Sequence, residues 1–321
     1  MAIERIAVLT SGGDSPGMNA AIRAVVRTGL ARGLKVFGVQ HGYQGLVNGE
    51  FIPMDSFMVS DMLQRGGTGL FTARSKEFMT EEGFRRALMM LESFKIDGLV
   101  VIGGDGSMRG ALDLAKHGVA VAGLPGTIDN DLAYTDYTIG FDTAVNTAVN
   151  AIGNLRDTSS AHGMVTIVEL MGRHCGDIAL FAGIASGGDI IVMPETEYSL
   201  EDICREVVEG RNAGKLHCLI LVAEGAPFSC QDIKEAVQER TGMESRITVL
   251  GHVQRGGSPT AFDRILASRL GAHGVDALIE GKKAVAVGIR NNEIFDMDMA
   301  KALEMKRPER TELIRLGEIL K

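Results

Sequence analysis

Apolar residues along this chain fall into two alternating patterns. Short, nearly unbroken runs enriched in β-branched residues read as buried strands at Ile6–Leu9, Lys35–Val39, Leu99–Ile102, just after 119, Val165–Leu170, Asp189–Val192, Cys218–Ala223, Arg246–Leu250 and Ala284–Gly288. Between them, apolar residues recur at helical spacing. The first helix carries Met18, Ala21, Ile22, Val25, Val26 and Leu30 on one face and stops at Gly33. Others are predicted over 81–94, 108–115, 143–156, 178–186, 200–211, 232–240 (capped by Asp232, stopped by Gly242) and 262–279. This alternation of strand and helix predicts an α/β fold, and 321 residues suit two domains. Between 40 and 80 the pattern fades into a loop with Tyr43 and a polar, glycine-rich segment, RGGTGLFTARSKEF. The sequence shows no internal repeat, heptad or low-complexity tract.

Several strands end in turns that can carry chemistry. In LVVIGGDGSMRG, Leu99 to Gly110, the strand breaks at Gly103-Gly104 and a helix resumes at Met108, with Asp105 inside the turn. Backbone N–H groups at such a helix start form an anion site. A carboxylate beside that site calls for a cation, and Mg²⁺ suits because it takes one or two carboxylates and fills its remaining positions with water and phosphate oxygens. A plain βα turn with a solvated Asp105 fits the same residues. Thr10-Ser11-Gly12-Gly13-Asp14, completed by Pro16-Gly17, is a second corner of the same build. Neither matches GxxxxGK[ST] or GxGxxG, so neither is a generic P-loop or dinucleotide fingerprint. Two such corners point to a crevice at the C-terminal edge of a sheet.

A third corner, Pro125-Gly126, leads into Thr127-Ile128-Asp129-Asn130-Asp131. On an extended segment Asp129 and Asp131 face the same side. A carboxylate there can accept the proton of a hydroxyl that attacks phosphorus; an Asx-rich turn is the plainer alternative. Later strands end in Met171-Gly172-Arg173, in Glu224, and in a loop from Gly251 to Pro259 that holds His252 and Arg255, where cations favour an anionic ligand. Arg74, taken alone, reads as a phosphate ligand or as a solvated charge.

Composition narrows the classes. A net charge of −8 argues against nucleic acid or an anionic membrane as the main partner. No apolar run approaches the roughly 20 residues that span a bilayer, and the N-terminal run, ending in Gly-Gly, is not a signal peptide. Cysteines at 175, 204, 218 and 230 show no CxxC or zinc spacing, so reduced thiols in a cytoplasmic protein are expected.

Taken together and in order, LTSGGDSPGMNA, VVIGGDGS, LPGTIDND, VELMGRHCGD and GHVQRGGSP resemble the bacterial ATP-dependent 6-phosphofructokinase family, from Ile6 to Pro308. The GGDG stretch alone also fits NAD kinases and diacylglycerol kinases, which lack the rest of the series. The resemblance implies two Rossmann-like α/β/α domains with the active site in the cleft between them. Residues 1–140 plus 257–305 would bind ATP and Mg²⁺, and 141–256 plus 306–321 would bind the sugar phosphate. It implies Asp129 as the base toward the 1-hydroxyl of fructose 6-phosphate, Thr127 steadying the reacting groups, Arg173 on the transferring charge and Asp105 as the Mg²⁺ ligand. Gly13, Tyr43, Arg74, Ser75, Gly104, Asp105, Gly106 and Ser107 would cradle ATP. Thr127, Ile128, Asp129, Met171, Gly172, Arg173, Glu224, His252, Val253, Gln254 and Arg255 would bind the sugar, joined by Arg246 of a neighbouring subunit. Pyrophosphate-using relatives carry Asp and Lys where this chain has Gly106 and Gly126, so the two glycines favour ATP.

Some positions depart from the family pattern. Met164, after Gly163, stands where an arginine usually reaches the sugar phosphate, which predicts weaker binding of fructose 6-phosphate. Met79 stands where a basic residue often helps the nucleotide. An effector site for ADP or phosphoenolpyruvate would use Arg23, Arg27, Asp61, Arg156, Gly187, Asp189, Lys215 and His217, but Ser56 and Ala213 replace basic residues, so blunted regulation is expected. The implied assembly is a homotetramer. Two other readings stand beside the first: a kinase of another sugar phosphate, such as tagatose 6-phosphate or sedoheptulose 7-phosphate, and a non-catalytic nucleotide-binding regulatory subunit.

Overall fold

The computed structural model describes residues 3–321, which form two compact units. The first runs to Ile128 and resumes over Leu132–Thr143 and Arg255–Arg307; the second takes Asp129–Asp131, Ala144–Gln254 and Pro308–Lys321. In chain order the elements begin β1 (Arg5–Ser11), α1 (Met18–Ala31), β2 (Lys35–Val39), α2 (Gly42–Asn48), β3 (Phe51–Met54), α3 (Glu81–Ser93), β4 (Gly98–Gly103), α4 (Asp105–Lys116), β5 (Ala120–Pro125) and α5 (Phe141–His162). They continue β6 (Val165–Leu170), α6 (Asp177–Ser186), β7 (Ile190–Val192), α7 (Leu200–Asn212), β8 (Cys218–Ala223), α8 (Cys230–Thr241) and β9 (Ser245–Val249). After a 3₁₀ turn over Gly251–Arg255 come α9 (Ala261–Ile279), β10 (Ala284–Arg290), β11 (Glu293–Asp298), α10 (Met299–Glu304) and α11 (Thr311–Ile319).

The first unit holds a sheet ordered β11-β10-β5-β4-β1-β2-β3, its five inner strands parallel and both edge strands antiparallel. Its central strands are apolar on both sides because both faces are covered. Ile6 and Val8 of β1 join Val100 and Ile102 of β4 in a core with Ile22 of α1 and Leu270 of α9. Ala7 and Leu9 join Leu99 and Val101 on the opposite face, with Leu46 of α2, Leu91 of α3 and Leu114 of α4. The period-2 alternation of a strand thus feeds two separate cores. Asp263 ties α9 to the start of α5 within this unit. Its buried carboxylate accepts bonds from the backbone N–H of Gly140 (2.9 Å) and Thr143 (2.8 Å) and from the Thr143 hydroxyl (2.6 Å). Burial pushes its pKa up to about 6 against the pull of those donors.

The second unit holds a parallel sheet ordered β7-β8-β6-β9. Val165, Ile167, Ile190 and Ile220 bury one face under Ile203 of α7 and Ile233 of α8. On the other face α6 packs so closely that a Cβ at Gly183 would lie 2.5 Å from the Ile191 side chain.

Several boundaries differ from the sequence reading. α4 starts at Asp105, not 108, which makes Asp105 the first helical residue. α5 continues past Arg156 to His162. α8 is capped by Ser229, and Asp232 is its partner three residues on, in a capping box. Five elements have no counterpart in the sequence reading: α2, β3, β11, α10 and α11. Their signals are weak locally: α2 is seven residues with two glycines, and β3 contains Pro53. Among the described residues no helix is long and apolar enough to cross a membrane.

Candidate active site

Parallel pairing of β5, β4 and β1 places their C-terminal ends side by side on one edge of the first sheet. That edge carries Ser11–Asp14, Gly103–Ser107 and Thr127. Gly104 caps α4 in extended conformation, so the first-turn N–H groups of α4 point outward from the β4 corner. Gly106 has open space where a side chain would be. Tyr43 is turned inward: it is buried, stacks on Phe78 at 4.2 Å and donates to the Ser107 carbonyl at 2.6 Å. Burial holds its hydroxyl pKa far above the ordinary tyrosine value. Its place is behind the α4 corner, which it braces. Ser75 donates to Gln44 (2.8 Å) and accepts from the Phe78 N–H (3.0 Å), and Met79 is exposed. Thr72 donates to the Gly12 carbonyl at 2.8 Å, which anchors the glycine-rich segment to the first corner two residues before Arg74.

Asp105 makes a two-pronged ion pair with Arg109, at 2.8 and 3.0 Å, and this carboxylate raises the Arg109 pKa. The i, i+4 spacing of the pair is a signal that sequence reasoning passed over. Arg255 belongs to this unit: its guanidinium lies 2.5 Å from where a Gly13 Cβ would be and donates to the Asp14 carbonyl at 3.3 Å.

The expectation of an extended segment through Asp129 and Asp131 is corrected. Asn130, between them, is left-handed with φ 52°, so the two carboxylates do not alternate along a strand. Asp129 is 6% exposed, Ile128 is fully buried, and the Thr127 carbonyl accepts a 2.6 Å bond from Thr138. The Asn130 amide donates to Asp177 at 2.8 Å, a partner sequence reasoning missed.

In the second unit the ends of β8, β6 and β9 are also neighbours. After β6 the chain turns sharply through Gly172 (φ 139°) and Arg173 (φ 57°). The Glu224 carboxylate, after β8, accepts from the N–H groups of Gly172 (3.3 Å) and Arg173 (2.5 Å). Buried Gln254 accepts from the Met171 N–H at 3.3 Å and donates to the Gly251 carbonyl at 3.1 Å, tying the β9 turn to the β6 corner. Arg173, His252 and Val253 remain exposed. Arg246 is exposed on β9 and pairs with Glu244 at 2.6 Å.

Of the expected effector residues, the structure gathers one set in the second unit. Arg156 donates to the Ser186 and Gly187 carbonyls. Asp189 pairs with Lys215 at 2.5 Å, and His217 meets Ser160 at 3.1 Å. Asp189, Ala213, Lys215 and His217 line a cavity of about 380 Å³, with Arg205 and Arg211 on its wall. Arg23, Arg27 and Asp61 belong to the first unit. The four cysteines are buried and free, and burial pushes the thiols of Cys218 and Cys230 up to about 12.

The phosphofructokinase family model matches residues 5–278. An ATP-dependent 6-phosphofructokinase of Clostridium botulinum (strain Loch Maree / Type A3) is 58% identical over 315 residues, which are 98% of either chain. One of the same name from Clostridium novyi (strain NT) is 58% identical over 318 residues, 99% of either chain. The crystal structure of Pichia pastoris phosphofructokinase in the T-state superposes with a TM-score of 0.91 at 37% identity. That superposition covers 95% of this chain and 38% of the yeast chain.

Proposed function

The chain belongs to the phosphofructokinase family, and from that premise we propose how its residues divide the work of the reaction. The chain is a glycolytic phosphotransferase: it moves the γ-phosphoryl group of ATP to fructose 6-phosphate, giving ADP and fructose 1,6-bisphosphate. One observation supports the assignment of residues. Three adjacent parallel strands deliver two glycine corners and the segment that opens at Thr127 to a single sheet edge. Relatives similar over nearly the whole chain favour this reading over a kinase of another sugar phosphate or a non-catalytic subunit.

Nucleotide phosphates lie on the N–H groups at the start of α4 and on Gly13, with Arg74 and Ser75 nearby in the segment that Thr72 anchors. Gly106 leaves room for the α-phosphate, which favours ATP over pyrophosphate. The sugar phosphate is recognised by Arg173, Glu224, His252 and Arg255. Asp129 takes the proton of the 1-hydroxyl as its oxygen bonds to the γ-phosphorus, and the bond from that phosphorus to the departing ADP oxygen breaks. Arg173 offsets charge on the transferring group. Asp105 suits Mg²⁺ that arrives on the nucleotide: it is one partly exposed carboxylate, and no group of three or more His, Cys, Asp or Glu able to hold a metal exists among the described residues. A Mg²⁺ ion held there would neutralise phosphate charge, and Arg109 orients the Asp105 carboxylate that would hold it.

The proposal extends to a cytoplasmic homotetramer with Arg246 serving a neighbouring subunit. An effector anion, ADP or phosphoenolpyruvate, occupies the Lys215–His217 side of the 380 Å³ cavity, weakly because Ser56 and Ala213 supply no charge. Steady-state turnover tests the whole reading. Rates with fructose 6-phosphate and ATP should exceed those with pyrophosphate or with tagatose 6-phosphate by orders of magnitude. Preference for either of the latter would sink it.

A further inference from the structure

The bend at Asn130 is held by a polar chain, buried at Asn130 and Asp177 and partly buried at Arg310, that the proposed reaction does not use. Asn130 is 2% exposed and left-handed, and its amide donates to Asp177 Oδ2 at 2.8 Å. The same oxygen accepts from Arg310 Nη2 at 3.2 Å. Asp177 is the first residue of α6 and 2% exposed, so its charge also sits at a helix N-terminus. Arg310 comes from the segment just before α11, and its guanidinium lies over the Phe181 ring at 6.0 Å, one turn along α6.

The pair joins a buried carboxylate to a partly buried guanidinium, and such a pair is weak evidence for stability. What this one fixes is specific. A left-handed residue between Asp129 and Asp131 breaks the two-residue alternation and so decides where each carboxylate points. Asparagine tolerates that conformation. The bond to Asp177 holds it there, and Arg310 holds Asp177 in place. We infer that Asp177 and Arg310 are positioning residues that aim Asp129 by locking the backbone of Asn130. This rests on the reading of Asp129 as the base.

The test compares Arg310→Met, Asn130→Gly and the double variant in the full chain, with Asp129→Asn as control, reading kcat and KM for both substrates. A small misplacement of a reacting group costs up to about a hundredfold. Asn130→Gly, which keeps the left-handed option and loses the bond, should lower kcat roughly 10- to 100-fold. Arg310→Met should lower it about tenfold. KM for ATP should stay unchanged in both, and the double variant should be no slower than Asn130→Gly, because one residue acts through the other. Arg310→Lys should recover part of the loss, and replaces Arg310→Met should that variant not fold. Unchanged kcat in the Arg310 variants, or losses that multiply in the double variant, would overturn the inference. If Asp129→Asn itself keeps full kcat, the base reading fails and the positioning role falls with it. If Asp129→Asn is inactive while the Arg310 variants are normal, only the positioning role fails.

Discussion

The C-terminal edges of the two sheets present different chemistry. On the seven-stranded sheet the corner after β4 is glycine, backbone N–H and one carboxylate, and Tyr43 is buried behind it as a brace. On the four-stranded sheet the corners after β6 and β9 expose Arg173 and His252, and a carboxylate, Glu224, organises the backbone from outside. Phosphates in series suit a fixed row of N–H dipoles. A sugar carrying one phosphate and several hydroxyls needs donors and acceptors placed singly, which only side chains can do. Failure should therefore look different on the two edges: additions harm the first, deletions harm the second.

Removal of a reacting side chain should cost most. Asp129→Asn is expected to lower kcat about a thousandfold with KM little changed, the usual scale for losing a general base; normal turnover in a stopped-flow assay would break the scheme. On the backbone edge, Gly106→Asp should fold normally, since open space surrounds that position. Its charge against the phosphates should nevertheless lower kcat/KM for ATP by about a hundredfold. If Gly106→Asp binds ATP as tightly as wild type, the corner is not the phosphate site. Away from both edges, at the N-terminal end of β6, Met164→Arg should lower KM for fructose 6-phosphate at least about tenfold, the worth of a restored charge-assisted hydrogen bond reaching the sugar of a neighbouring subunit. An unchanged KM would mean that position 164 does not reach the sugar phosphate.

Asp263 sharpens the contrast, being a buried carboxylate in the unit whose edge otherwise relies on backbone. Its folded pKa, about 6, lies above the ordinary 3.8. The folded state then holds the proton more tightly, and stability falls as pH rises from about 4 to 6. Relative to Asp263→Asn, wild type should lose on the order of 2 kcal/mol across that window. Urea unfolding at several pH values reads it, and a flat difference would show that Asp263 does not titrate there.

Much of this was legible in the residues. β2, β6 and β8 coincide with their predicted spans residue for residue, and β6 and β8, buried at nearly every position, need no periodicity to be seen. The glycine corners stood out because strand, break and helix are all local. α2 was hidden because its glycines weaken the helical pattern, and Gly45 is required where a Cβ would run into the Gln40 carbonyl. Asn130 was hidden more deeply. Its conformation depends on Asp177, 47 residues away, and on Arg310, 133 residues beyond that. No window along the chain contains all three.

The two antiparallel edge strands have a consequence for how folded copies of the chain meet one another. A parallel sheet with open sides would be a template on which another copy could extend the ladder. β3 places exposed Pro53 on one side, a residue with no N–H to offer an incoming strand. β11 ends the other side with exposed Glu293 and Asp298, like charges that disfavour pairing with a second copy, while Asp296 is taken up by Lys282 and His273. The sheet thereby ends in short strands that disfavour further pairing, which is protection against edge-to-edge growth.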